Sequence, residues 1–400
     1  MNTRPLFCIF SIALGTSLNQ SYSAATRIAY IDPFATARGN AFAATADNPS
    51  AVFYNAAGLT QVEDTQIQGQ VFVISLGYEF DGDITGRSDM DDKFQPVPSF
   101  FASHKLENTP FTLGFGAYAP FALGTDWGGD AAFALLDPLV PYEADLQYIK
   151  YHAVVAWEIS KTLSLAAGFS YDDSAVDFKA NALEYDGTDE MVGYSLSLLW
   201  QPSKKHSFGL NYQAKTEATY RGDVSGPVIS QITESAFNSL DGKADFVFPE
   251  SIIFGYSYRP NDQWNFEFNL DWTNWDRVDA LEIETVLPVP LAYELNWESA
   301  FIWELGATRY LDNGWHLSGG YTFVENAVPD ADFLPIVPDS DRHFFAVGIG
   351  QTLDRLSWML AYQQAFDDGR SVSDNEHSPT LNGDYDLDSQ AVTFSLNLRF

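Results

Sequence analysis

Trp264–Trp272 reads WNFEFNLDW. Successive side chains of a strand point to opposite sides, so Trp264, Phe266, Phe268, Leu270 and Trp272 share one face. Asn265, Glu267, Asn269 and Asp271 share the other. The apolar face is continuous and aromatic. The same alternation recurs in SFGLNYQAKTEATY (207–220), where Phe208, Leu210, Tyr212 and Ala214 alternate with Gly209, Asn211, Gln213 and Lys215. It recurs again in FIWELGATRY (301–310). A sandwich core produces the same pattern, so the spacing of such segments has to decide.

Fourteen segments qualify as strands: about 66–80, 97–105, 111–120, 145–160, 163–177, 191–202, 206–221, 246–259, 263–279, 298–310, 314–325, 342–353, 356–366 and 387–400. The links between them alternate in length. Leu106–Pro110, Ser160–Thr162, Pro202–Lys205, Pro260–Asp262, Asp312–Gly314 and Leu353–Arg355 are short. Phe121–Ala144, Gly222–Ala244, Val328–Asp341 and Asp367–Asp386 are long. Short turns on one side and long loops on the other are the plan of an outer-membrane barrel. No later stretch offers 18 consecutive apolar residues, which excludes membrane-spanning helices. The predicted fold class is therefore all-β, a transmembrane antiparallel β-barrel of about 14 strands, in the bacterial outer membrane.

The bulk composition agrees. Aromatics are 15% of the 400 residues, and the net charge is −33. Nucleic acid is excluded as a partner, because a phosphate backbone requires a basic surface. Disorder is excluded by the apolar content. At the N-terminus, Arg4 and the apolar run Leu6–Leu18 predict an export signal over residues 1–24. Cleavage after Ser23 or after Ala25 fits the small-residue rule. Cys8 lies inside that signal, so the mature chain is expected to carry no cysteine.

The barrel proper is expected over 66–400, preceded by a compact segment over 25–65. A barrel of this width is too large for side chains to fill. Ala41, Ala43, Ala44, Ala46, Ala51, Ala56, Ala57 and Gly58 allow a chain to fold tightly inside it, with turns from Asn48-Pro49 and glycine. The stretch GNAFAATADNPSAVFYNAAGLTQ (39–61) resembles the N-terminal hatch of the FadL-type outer-membrane transporters (OMPP1/FadL/TodX) of long-chain fatty acids and aromatic hydrocarbons. The matching motif positions are Asn55, Ala56, Ala57 and Gly58, with Ala56 where that family usually has proline. YAPFALGTDW (118–127) resembles the family's third strand entering its long external loop. The last strand, AVTFSLNLRF (391–400), ends in Phe400 and resembles the insertion signal of outer-membrane barrels.

The resemblance implies passive uptake of hydrophobic molecules, with no enzyme activity and no cofactor or metal. It implies a lateral opening at Pro120 and Phe121, because a proline cannot donate to a ladder. Apolar residues in the long loops are candidates for hydrophobic capture: Trp127, Phe133, Leu135, Leu136, Ile232 and Phe237. Strand parity points Lys150, His152, Lys215 and Arg221 inward, as candidate lumenal charges for a carboxylate. The acidic stretches 81–92, 328–341 and 373–388 are expected as solvated surface, bridged to lipopolysaccharide by divalent ions. The expected partners are a fatty acid or aromatic hydrocarbon, outer-membrane lipid and lipopolysaccharide, around a monomer. GYSLS (193–197) lacks the last glycine of a nucleophile elbow and lies in a strand. The alternative reading is a channel or surface adhesion barrel.

Overall fold

The computed structural model describes residues 25–90, 93–234, 236–287, 291–367 and 369–400. The export signal expected over 1–24 lies outside the described residues. Fourteen barrel strands follow one another in chain order. They are β1 (Thr65–Gly82), β2 (Lys93–Lys105), β3 (Phe111–Tyr118, resuming as Ala122–Asp126), β4 (Pro141–Ser160), β5 (Leu163–Ala180) and β6 (Leu183–Ser203). Then come β7 (His206–Gln213 and Thr216–Ser225), β8 (Ser239–Phe248 and Ser251–Asn261), β9 (Trp264–Thr273 and Ala280–Glu284) and β10 (Leu291–Glu294 and Ala300–Tyr310). The circuit ends with β11 (Trp315–Val324), β12 (Arg342–Thr352), β13 (Leu356–Asp367) and β14 (Gly383–Arg399). Sequential neighbours pair antiparallel, and β14 closes on β1 from Gln66↔Arg399 to Gly82↔Gly383. Closure joins the last strand to the first, so the sheet has no terminal edge strand facing lipid.

The pattern of WNFEFNLDW decides the sidedness. Phe266 is 43% exposed, whereas Asn265 and Asp271 are fully buried. Trp303, Leu305, Phe345, Val347, Phe394 and Leu396 are likewise exposed on the outside. Apolar outside and polar inside is the inversion a bilayer imposes, and it removes a soluble sandwich.

Several strands run past their expected ends: β4 begins at Pro141 and β6 at Leu183. Those extensions lie beyond the apolar belt, where no lipid enforces alternation. Four strands expected as continuous are interrupted. β3 stops at Tyr118, before Pro120, and β8 stops before Pro249. In β7 the phase reverses across Ala214–Lys215: Leu210 faces out below it, while Thr216, Ala218 and Tyr220 are buried above it. In β9 the chain leaves the ladder after Thr273 and turns Trp275 inward.

Residues 25–62 fold against the inner wall and are buried, except at Phe34, Asp47, Asn48, Thr60 and Gln61. Asp32 caps the short helix Pro33–Thr36, accepting from Phe34 N at 2.8 Å and Ala35 N at 3.0 Å. Burial pushes the Asp32 carboxyl above the ordinary aspartate range, against the bonds from Ala35 N and Gln68. Small residues on both sides allow the contact. A Cβ on Gly320 would lie 1.9 Å from Gly39 N, and one on Gly209 would lie 2.1 Å from Ala43 O.

The acidic stretch 328–341 is not solvated surface. Residues 332–340 are all buried. Phe333, Leu334, Ile336 and Val337 draw it into the barrel mouth, and Asp339 is neutralised by Arg342. The expectation failed because the acids were counted without their apolar neighbours.

Candidate transport path

The N-terminal segment is anchored by carboxylates from the inner faces of β9 and β10. Glu267 accepts from Ala44 N at 2.7 Å, Thr45 N at 3.3 Å and Arg38 Nη2 at 3.2 Å, and from the Thr45 hydroxyl. Asp271 pairs with Arg27 at 2.7 Å. Glu304 accepts from Asn40 at 2.7 Å and from Asn269 at 2.9 Å. On the motif, Asn55 donates to Ala43 O at 2.7 Å and to Leu198 O at 3.0 Å, tying the segment's own turn to β6. Its Oδ1 caps the turn Ala56–Gln61 through Ala57 N, and a Cβ on Gly58 would meet Ala46 O at 2.2 Å.

Around Pro120 the wall changes partner. Pairing of β2 with β3 ends at Phe100↔Ala117. Beyond it, Lys93–Ser99 of β2 pairs only with β1. Pro96 and Pro98 lie in that unpaired edge and lack the donors that a second neighbour would need. The chain at Pro120 leans inward instead and pairs with the N-terminal segment: Ile28 N donates to Pro120 O at 2.8 Å, and Ala122 N to Thr26 O at 2.9 Å. Pro96 and Pro98 carried a sequence signal, but it points to a side of the strand that only pairing defines.

Inside this lapse lies an aromatic cluster from distant strands. Phe121 stands 4.9 Å from Phe248 and 6.2 Å from Trp275, between ring centroids. Tyr148 is 4.6 Å from Phe248, and Trp275 is 5.1 Å from Trp297. With Arg27, Tyr118, Pro120 and Lys150, the rings of Phe121, Tyr148 and Phe248 border a space of about 30 Å³, room for about one or two waters. Phe248, Trp275 and Trp297 were not singled out from the sequence, because their convergence requires the breaks in β8 and β9. A larger hollow, about 870 Å³, opens among the short turns, but Lys161, Lys204, Lys205 and Arg259 give it a polar rim.

The expected capture residues divide. Trp127 and Phe133 are buried in the mouth, with Trp127 donating to Pro335 O at 2.8 Å and Phe133 beside Phe80. Leu135, Leu136, Ile232 and Phe237 are exposed on and beside the short helices Ala132–Leu136 and Pro227–Ile232.

The expected lumenal charges divide too. Lys150 and His152 face inward, 6% and 1% exposed. Lys150 pairs with Asp172 at 2.8 Å. His152 bridges Tyr118 Oη and Ser195 Oγ, each at 2.9 Å. Ser195 belongs to GYSLS, but both members of this Ser–His pair are sealed in the wall, without the open face a reacting group needs. Lys215 and Arg221 are corrected: both face outward, Lys215 beside Glu217 at 2.5 Å. Parity carried from Leu210 fails because the phase reverses at Ala214–Lys215.

A closed fourteen-stranded barrel with an apolar belt and a segment folded into its lumen defines an outer-membrane transport barrel. Residues 17–400 match the family model described as outer membrane protein transport protein (OMPP1/FadL/TodX), and the chain belongs to that family. It is 24% identical over 375 residues to a putative outer membrane protein of Neisseria meningitidis serogroup B, covering 79% of this chain and 80% of that one. It is 22% identical over 239 residues to the long-chain fatty acid transport protein of Escherichia coli K12. That match covers 57% of this chain and about half, 51%, of the relative. In fold it is similar to a Pseudomonas aeruginosa FadL homologue, with a TM-score of 0.84 at 15% identity over 94% of this chain and 100% of that one. It is also similar to the Ralstonia pickettii toluene transporter TbuX, with a TM-score of 0.69 at 16% identity over 92% and 98%. The family is one of transport proteins for hydrophobic compounds, and the chain is an outer-membrane protein.

Proposed function

We propose that this barrel passively moves small apolar molecules from the cell surface into the outer membrane, leaving sideways between β2 and β3. The observation that carries the reading is the lapse of the ladder beyond Phe100↔Ala117, where β3 leans onto the N-terminal segment. Unpaired backbone at membrane depth is tolerated where it borders a cavity or protein rather than lipid. In this reading Leu135, Leu136, Ile232 and Phe237 collect cargo at the surface. The Phe121–Phe248–Trp275 cluster receives it, and residues 25–65 act as the hatch. In this reading the hatch or the 326–341 loop moves before cargo passes. The barrel works as a monomer surrounded by lipid and lipopolysaccharide.

The test is uptake by cells lacking their own transporters, comparing an apolar compound with a small sugar. A variant replacing Ala119-Pro120-Phe121 by Thr-Val-Thr restores the missing donor. Uptake of the apolar compound alone, reduced in this variant, is the expected result. Sugar passage would favour an open channel. No uptake of either would favour an adhesion barrel and refute transport.

A further inference from the structure

Among the described residues, the interior of the barrel offers no unclaimed cation. Five basic side chains besides histidine are buried: Arg27, Arg38, Lys150, Arg342 and Arg370. Each already holds a carboxylate. Arg27 is 2.7 Å from Asp271, Arg38 is 3.2 Å from Glu267 and Lys150 is 2.8 Å from Asp172. Arg370 is 2.7 Å from Asp330, and Arg342 holds Asp339. His152 is spent on Tyr118 and Ser195.

Carboxylates exceed these cations. Asp32 and Glu304 are buried with amide and backbone donors rather than basic side chains. The mouth repeats the imbalance. Arg87 lies 2.7 Å from both Glu79 and Asp89. Lys179 lies 2.7 Å from Glu143 and 3.6 Å from Asp177, and Lys243 lies 2.7 Å from Asp245 and 3.9 Å from Glu284. Whole-chain charge is −33, from 54 acidic and 21 basic residues.

Two physical consequences follow. A field of one sign lowers the local concentration of ions of that sign at the entrance. A carboxylate that did enter would lose its water without gaining a partner, because each cation that could pair with it is already paired. The aromatic cluster beside Pro120 offers ring faces, which suit an uncharged molecule.

We propose that this path is an anion filter: it passes uncharged apolar molecules and rejects the same carbon skeleton once it bears a carboxylate. This inference rests on the transport reading above. It assigns selectivity to the paired cations of the lumen, of which Lys150, paired with Asp172, and Arg27, paired with Asp271, both border the aromatic space.

The experiment compares decan-1-ol with decanoate, at about pH 7.5, where a carboxylic acid is ionised. Initial uptake is measured in cells lacking their own transporters, with the rate of cells lacking the barrel subtracted. Decanol is expected to enter faster than decanoate by at least about tenfold. Asp172→Asn frees Lys150, and the ratio is expected to narrow because decanoate gains a partner. Equal wild-type rates would overturn the filter and leave transport standing. Uptake of neither compound would remove the transport reading and the filter with it. A wide ratio that survives in membrane-inserted Asp172→Asn would overturn the assignment to the paired cations. The wild-type comparison stands even if that variant does not assemble.

Discussion

Removing the Glu267 carboxylate should undock the N-terminal segment while leaving the barrel closed. Glu267 is 3% exposed and meets Arg38, Ala44 and Thr45 of that segment. In Glu267→Ala, Arg38 becomes a fully buried charge without its partner. Breaking a buried pair in this way costs about 3–5 kcal/mol. The Ala44 and Thr45 donors are orphaned as well, adding about 1–3 kcal/mol for each one that water cannot reach. A loss of about 3–5 kcal/mol alone raises the undocked fraction by roughly two to nearly four orders of magnitude. The barrel should survive, because closure rests on the β1–β14 ladder and not on this carboxylate. Trypsin provides the assay, since Arg38 is fully buried and is cut only after undocking. Single-channel conductance in a planar bilayer provides the second readout. Asp47→Ala is the control: the Arg259–Asp47 pair has side chains 39% and 35% exposed, and such pairs contribute at most about 1 kcal/mol. If inserted Glu267→Ala keeps wild-type protection at Arg38 and adds no conductance, the anchoring argument is wrong.

Other perturbations test separate links. Gly320→Val places a Cβ against the Gly39 backbone, a clash of about 1–3 kcal/mol. The expected result is faster cleavage at Arg38, and an unaltered rate would show that the segment does not press on β11. Asp339 accepts from Ala25 N and Ala327 N, both at 2.9 Å, and neutralises Arg342. Asp339→Asn should therefore loosen the 326–341 loop and the start of the N-terminal segment together. Amide exchange over 327–340 should accelerate, and exchange unchanged from wild type would disprove the shared latch. Burial raises the Asp32 pKa, so the docked segment holds this proton more tightly than the unfolded chain does. Its stability is then highest below the ordinary aspartate pKa and falls as pH rises through the raised value. Asp32→Asn keeps an Oδ1 cap and should remove that fall, read as trypsin protection against pH. A slope identical to wild type would count against it.

Much of the architecture was readable because strand geometry is local. A period of two places Phe266 outward and Asn265 inward without reference to any other strand, and link lengths order the meander. The small residues from Ala41 to Gly58 announced a segment that had to lie close to another backbone, as Gly39 and Ala43 do. The charge excess was also plain from composition alone. Other features depended on neighbours distant in sequence. Lys215 and Arg221 faced outward because one irregularity at Ala214–Lys215 inverts everything after it, and parity carries no warning of such a slip. Residues 332–340 turned inward because Phe333 and Ile336 found an apolar mouth and Asp339 found Arg342. Trp275 met Phe121 and Trp297 only once β9, β10 and β3 had each left the ladder. The sequence by itself determined a membrane barrel, its sidedness and a small-residue segment built for close packing, since alternation, link length and residue size act over a few residues. Tertiary structure alone decided where the wall is unpaired, which cations are already claimed and which rings converge, because those are contacts between different strands and loops, such as Arg27 with Asp271 and Phe121 with Phe248, that no local pattern encodes.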